Sequence, residues 1–250
     1  GGGLHVSSSI TEQGQGTNAI LAQIAAGVFG VDLDRVRVTT GDTETTPYGG
    51  GTWASRGAGI GGEAMLQAAQ ALKDQVLAVA AVILQGKAET LDIVAGKVGD
   101  ANGGAERITL SDLARTVYYR GNELPADLEP ELVATRHYRV TDFPFVFTNG
   151  AMAAYVEVDT DTGFTKILNF WAVEDCGRVI NPALVDEQIR GGVVQGIGGA
   201  LYEEVIYDED GQQLNTSMAD YLVPMAAEMP DIVVAHVETP TKTSVLGAKG

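Results

Sequence analysis

Three stretches of the chain set glycine beside side chains suited to gripping a ligand. The first is Glu12-Gln13-Gly14-Gln15-Gly16-Thr17, between an expected strand and an expected helix. That position presents backbone N–H groups and the positive end of a helix dipole, and glycine permits close approach. A glutamine amide donates and accepts at once, which suits the edge of a heterocycle better than a bare phosphate. An ordinary helix cap with polar neighbours accounts for the same six residues.

The second stretch runs Gly51-Thr52-Trp53-Ala54-Ser55-Arg56 into Gly57-Ala58-Gly59-Ile60-Gly61-Gly62 and a long helix. Hydroxyls, a guanidinium and N–H groups ahead of a helix make an anion site, although pairing of Arg56 with a surface acid explains that residue equally well. Gly57, Gly59 and Gly62 also have the spacing of a nicotinamide-dinucleotide fingerprint. That fingerprint should directly follow an apolar parallel strand, and the preceding residues here are Gly, Thr, Pro, Ser and Arg. The third stretch is Gln188 to Leu201. Helical spacing aligns Gln188, Gly192, Gln195 and Gly199 on one face, with two amides and almost no other bulk. Each interior glycine costs about 1 kcal/mol relative to alanine, so a large body is expected against that face. Tight packing of helix on sheet explains the glycines but not the glutamines.

Apolar spacing predicts the elements that position these stretches. A strand is expected at His5–Ile10, a helix from Thr17 stopping at Gly30, a strand around Val36–Val38, and a helix from Glu63 to Gln85. Residues 96–129, rich in Gly, Asn, Asp and Pro, read as a surface excursion of little functional content, with a short helix near Leu110–Thr116. After Pro144 come a hairpin of Ala151–Asp159 and Phe164–Val173, a helix from Pro182 to about Leu201, and strands at Val205–Tyr207 and Ile232–Glu238. The fold class is α+β, mixed sheets with packed helices.

Composition excludes several functions. With 33 acidic against 16 basic residues and a net charge of −17, the 250-residue chain repels a phosphate backbone and an anionic membrane surface. The longest apolar run, Val76 to Leu84, is far too short for a membrane span. One cysteine cannot make a disulfide or an iron–sulfur site, and Cys176 reads as a structural thiol. His5, His137 and His236 lack metal-ligand spacing, and the Asp159/Asp161 and Asp208/Asp210 pairs read as hairpin turns rather than calcium loops. The first residues, Gly1-Gly2-Gly3-Leu4, carry neither a start codon nor a secretion signal, so a segment of a longer, cytoplasmic protein is expected.

Taken together, the first two stretches, Asp175-Cys176-Gly177-Arg178-Val179-Ile180-Asn181-Pro182, Gln188 to Gly199, and Glu238-Thr239-Pro240 with Leu246-Gly247-Ala248-Lys249-Gly250 resemble the molybdopterin-binding large subunit of the xanthine oxidase, aldehyde oxidase and aerobic carbon monoxide dehydrogenase family. The match runs in family order along the whole chain. It implies the second molybdopterin-binding region over 1–250, with 1–145 and 146–250 as two subdomains. It implies molybdopterin as the cytosine dinucleotide, and oxidative hydroxylation of an aldehyde or N-heterocycle, or oxidation of carbon monoxide, with water as oxygen source. An FAD-binding medium subunit and a 2Fe-2S small subunit are implied as partners in a hetero-oligomer. The resemblance assigns Gln13, Gly14, Gln15, Gly16 and Thr17 to the cofactor, with Gln15 and its flanking glycines on the pterin. Thr52, Ala54, Ser55 and Arg56 fall along its phosphate side, Gln188 near pterin and metal, and Gln195 in the same region. The family's general base, a glutamate, is expected beyond Gly250, so Glu203, Glu204 and Glu238 are not candidates. No residue of 1–250 is expected to ligate the metal. A non-catalytic α+β binding module, or a degenerate paralogue without that glutamate, remains the alternative.

Overall fold

The computed structural model describes residues 1–103, 105–126, 128, 131–140 and 147–249. Two compact units are present, Gly1–Val146 with Thr241–Gly250, and Phe147–Pro240. The expected subdivision at 145/146, and Pro144 beside it, fall outside the described residues.

The first unit opens with a β-α-β arrangement. Strand β1 (Leu4–Ser8) pairs in parallel with β2 (Val36–Thr40), and helix α1 (Thr17–Phe29) connects them. Gly30 ends α1 in the left-handed conformation, its N–H donating to the Ala26 carbonyl. Val6, Leu21 and Ala25 close the seam between strand and helix. After a long loop, Gly57–Gly62 forms one π-helical segment that runs straight into α2 (Glu63–Ile83). Such widened turns recur at functional sites.

Residues 91–119 contain the short helix expected near Leu110–Thr116 but not the surface excursion expected around it. Instead of a surface excursion they build an antiparallel meander, β3 (Leu91–Val94), β4 (Lys97–Asp100) and β5 (Glu106–Thr109), followed by α3 (Leu110–Tyr119). Leu91, Ile93, Val98, Leu110, Leu113 and Val117 are buried against Phe29 of α1 and Val76 and Val79 of α2. Thr109 caps α3, its side chain accepting from the Asp112 N–H. The strands are four residues each and their turns are glycine-rich, which makes their apolar alternation too brief to read.

In the second unit β6 (Asn149–Val158) and β7 (Thr165–Asp175) form the expected hairpin. Asp159 closes its turn, one carboxylate oxygen accepting from the N–H groups of Asp161 and Thr162. Helix α4 (Pro182–Leu201) then returns the chain to β8 (Ile232–His236), which lies parallel to β7. Asn181 caps α4 by accepting from the Leu184 N–H. Val193 and Ile197 of α4 pack on Ala172 and Ile232 of the sheet. The strand expected at Val205–Tyr207 is no more than an isolated bridge from Tyr207 to Gln213. Its place is taken by Asn215, whose side chain accepts from the Ile206 N–H and donates to the Glu204 carbonyl. Among the described residues no helix is long and apolar enough to cross a membrane.

Leu113 is fully buried in the unexpected part of the core. Leu113→Ala should destabilise the first unit by about 3 kcal/mol, read from the denaturant midpoint, whereas a loss below about 1 kcal/mol would show that α3 is a peripheral element.

Candidate functional site

The glutamine-glycine loop is organised by its own acid. One carboxylate oxygen of Glu12 accepts from the N–H groups of Gly14 at 2.9 Å and Gly16 at 3.0 Å, and the other accepts from Asn18 at 2.9 Å. Gly14 and Gly16 both take the left-handed conformation, which turns their N–H groups inward toward it. Burial pushes the Glu12 carboxyl up, but the N–H groups of Asn18, Gly16 and Gly14 outweigh it and hold the pKa below the ordinary glutamate value. This corrects one expectation. At the start of α1 the Gly16 and Asn18 N–H groups are engaged by Glu12, so these two are not presented to a ligand.

The two loops share one carbonyl as acceptor. Thr11 O accepts from the Gln15 amide at 3.2 Å and from the Thr52 hydroxyl at 2.7 Å. The Gln15 oxygen also accepts from the Gln13 N–H at 2.6 Å, so its amide is held at both ends while one N–H and one lone pair stay available. Thr17 is buried, and its hydroxyl lies 3.5 Å from where a Cβ on Gly57 would stand. It therefore supports the seam between the two loops from inside. At Gly61 a Cβ would stand 2.6 Å from Cγ1 of Ile10, a clash that only glycine avoids. Gln13, Gly14, Gln15, Gly16, Thr17 and Thr52 are thus gathered in one place.

Ala54 and Ser55 continue that surface under strain. Both have positive φ, 49° and 57°, a conformation that costs an L-residue roughly 1–2 kcal/mol. The turn they form is closed by the Arg56 N–H donating to the Trp53 carbonyl, and the Arg56 guanidinium lies over the Trp53 ring at 5.4 Å. Arg56 makes no ion pair among the described residues, and its Nε is buried without a hydrogen-bond partner. Pairing with a surface acid, one of the two sequence readings, is therefore not what holds this arginine. No strand leads directly into Gly57–Gly62, because β2 has ended at Thr40. A nicotinamide-dinucleotide fingerprint is absent on those grounds.

Gln188 and Gln195 belong to the second unit, on α4, and both are exposed. Gly191, Gly192, Gly196 and Gly199 have no described atom within 4 Å of a Cβ placed on them, whereas at Gly198 a Cβ would meet the Glu203 carboxylate and Pro224. Close packing thus explains Gly198, against Glu203 and Pro224 rather than the sheet, and none of the other four. Cys176 is half-buried, and burial, with Asp175, Glu238 and Glu174 nearby, pushes its thiol up, away from nucleophilic use. Its neighbour Asp175 anchors the adjoining loops, accepting from Gly177 and Thr239 N–H groups.

A family model described as molybdopterin cofactor-binding domain matches residues 1–230, and the chain belongs to that family. It is 39% identical over 249 residues to the nicotine 6-hydroxylase large subunit of Paenarthrobacter nicotinovorans, covering 100% of this chain and 30% of that protein. It is 34% identical over 238 residues to the carbon monoxide dehydrogenase large chain of Hydrogenophaga pseudoflava, covering 95% and 29%. Among solved structures, quinoline 2-oxidoreductase from Pseudomonas putida 86 shares 40% identity and superposes with a TM-score of 0.89 over 98% of this chain and 31% of that one. The chain spans less than a third of the length of each of these relatives.

The Glu12 arrangement makes a pH-dependent prediction. A carboxyl whose pKa is depressed on folding contributes stability that is present above its unfolded value, about 4.3, and is lost as pH falls through the folded value. Glu12→Gln should cost about 1 kcal/mol at pH 7, a solvent-screened figure, and the difference from the unsubstituted protein should shrink as pH falls below the ordinary glutamate range. Parallel stability curves from pH 7 to pH 3 would mean that the carboxylate does not hold the loop.

Proposed function

We propose that the chain forms the molybdopterin-binding part of a molybdenum hydroxylase large subunit, with the cofactor as the cytosine dinucleotide. The observation that carries the reading is Arg56. Its guanidinium has a buried, unpartnered Nε, rests on Trp53 and follows two residues held in the left-handed region. Strain and an unmatched donor collected at one point suit a cationic group set in place for an anion such as a pyrophosphate. Thr52 orients the loop from below, and Ala54 and Ser55 lie beside Arg56 along the phosphates. Gln15, fixed through Thr11 and Gln13, turns its remaining donor and acceptor to the pterin edge, where Gly14 and Gly16 permit close approach. Gln13 is exposed beside it, and Thr17 supports the loop from within. The family pattern assigns Gln188, on the uncrowded face of α4, to the neighbourhood of pterin and metal, and Gln195 to the same region, neither as a metal ligand.

When bound, the molybdenum cofactor supplies the oxidation, in which a substrate carbon gains oxygen from water or carbon monoxide is oxidised. This chain's residues bind and orient it. The names of the relatives, which include nicotine, carbon monoxide and quinoline enzymes, support a small aldehyde, N-heterocycle or carbon monoxide as substrate class. An FAD-binding subunit and a 2Fe-2S subunit would then carry the electrons away, in a cytoplasmic hetero-oligomer. A chain with one cysteine has no cluster-binding set of its own.

Protein produced in its own host should contain molybdenum and release CMP from its pterin on acid hydrolysis. Absence of both would overturn the reading. In that protein Arg56→Ala should lower cofactor retention at least tenfold through lost charge-assisted pairing. Gln15→Ala and Gln188→Ala should lower molybdenum content or turnover, and unchanged metal loading together with unchanged rates would remove those residues from the site.

A further inference from the structure

One buried acid has no part in the reading above. Glu63 is 1% exposed and is the first residue of α2, directly after the glycine helix Gly57–Gly62. One of its oxygens accepts from the Gln67 amide at 3.0 Å. The other accepts from the backbone N–H of Leu246 at 2.8 Å, across 183 residues of chain. A carboxylate is buried at a severe cost unless its oxygens are matched, and here each meets a donor.

The loop on the far side of that bond is seated as well as tied. A Cβ on Gly62 would stand 2.8 Å from Cδ2 of Leu246, so glycine helix and loop are in direct contact. Ala248 is 5% exposed. The loop is closed on itself by the Thr241 N–H donating to the Gly247 carbonyl at 3.0 Å and the Gly247 N–H donating to the Ser244 hydroxyl at 3.2 Å. The Tyr138 hydroxyl donates to the Thr243 carbonyl at 3.0 Å and fastens its outer edge.

We propose that Glu63 is a positioning residue for the cofactor site. By holding the Leu246 N–H it locks the Leu246–Lys249 loop against the glycine helix, and that helix fixes the placement of Arg56, the residue immediately before it. The inference rests on the molybdopterin reading. A side chain of this reach with two hydrogen-bonding atoms is needed because Gln67 and the Leu246 N–H converge on it. Aspartate is a methylene too short, whereas glutamine can serve, since the Gln67 amide can turn to present its oxygen.

The test uses the protein as produced in its own host, unsubstituted and as Glu63→Ala, Glu63→Gln and Leu113→Ala. Two quantities are read: hydrogen exchange of the peptide carrying Leu246, and the rate at which pterin is lost on dialysis. Glu63→Ala should raise both by roughly tenfold or more. Glu63→Gln should stay within about threefold of the unsubstituted protein, because one hydrogen bond of each kind survives. Leu113→Ala, a destabilised core away from the loops, should leave pterin loss unchanged. Unaltered exchange in Glu63→Ala, or faster exchange with unaltered pterin loss, overturns the proposal, as does equal pterin loss from Leu113→Ala. If Glu63→Ala does not fold, Gln67→Ala replaces it; this leaves one Glu63 oxygen unmatched and should raise both quantities, and no change in either overturns the proposal. Unsubstituted protein without pterin overturns the molybdopterin reading as well, and is recognised before any variant is compared.

Discussion

The candidate site depends first on an acid that no ligand needs to touch. Glu12 gathers the N–H groups of Gly14, Gly16 and Asn18 and so closes the loop between β1 and α1. With the Gly16 and Asn18 N–H groups engaged, part of the start of α1 is already compensated. The loop holds Gln15 by both ends of its amide, and through the Thr11 carbonyl it shares one acceptor with Thr52 of the second loop. An acidic residue ahead of a glycine-rich turn therefore does the structural work that a phosphate does in other helix-terminal loops.

The glycines of the chain serve two opposed purposes. At Gly61 and Gly62 they are absences that a neighbour fills, Ile10 in one case and Leu246 in the other, and they let the widened helix sit close to both. On α4, Gly191, Gly192, Gly196 and Gly199 have no neighbour among the described residues where a Cβ would stand, while the helix packs on its sheet through Val193 and Ile197. The first kind builds the unit. The second weakens a helix without a return from packing among the described residues.

Long, strongly periodic elements were legible in the sequence: α1, α2, α4 and the β6–β7 hairpin lie close to their expected spans. The meander of β3, β4 and β5 was not, since each strand has room for two inward residues only, such as Leu91 and Ile93, and glycine-rich turns mask them. The strand expected at 205–207 failed for a different reason: Asn215, several residues away, bonds the backbone groups that a neighbouring strand would have paired. Within the site, motif spacing located the loops but not their wiring. Glu12 reads as one more acid until its three N–H donors are seen to point at it. Glu63 reads as an ordinary first-turn acid, because its second partner lies 183 residues along the chain.

The loop at Ala54 and Ser55 shows what that wiring makes possible. Two successive L-residues at positive φ are disfavoured by roughly 1–2 kcal/mol each, and the Arg56 Nε beside them is buried without a partner. Such a turn persists only if its surroundings determine it. The Thr52 hydroxyl on the Thr11 carbonyl holds one end, and the Trp53 ring supports the guanidinium. At the other end the glycine helix is wedged between Ile10 and Leu246, with Glu63 holding the Leu246 N–H. The strain is thus carried by contacts from β1's exit, α2 and the 241–249 loop, all within one compact unit. On the proposed reading, a guanidinium held this way would lose little freedom on meeting an anion, and preorganisation of Arg56 would unite the strained turn, the glycine helix and the Glu63 hydrogen bonds.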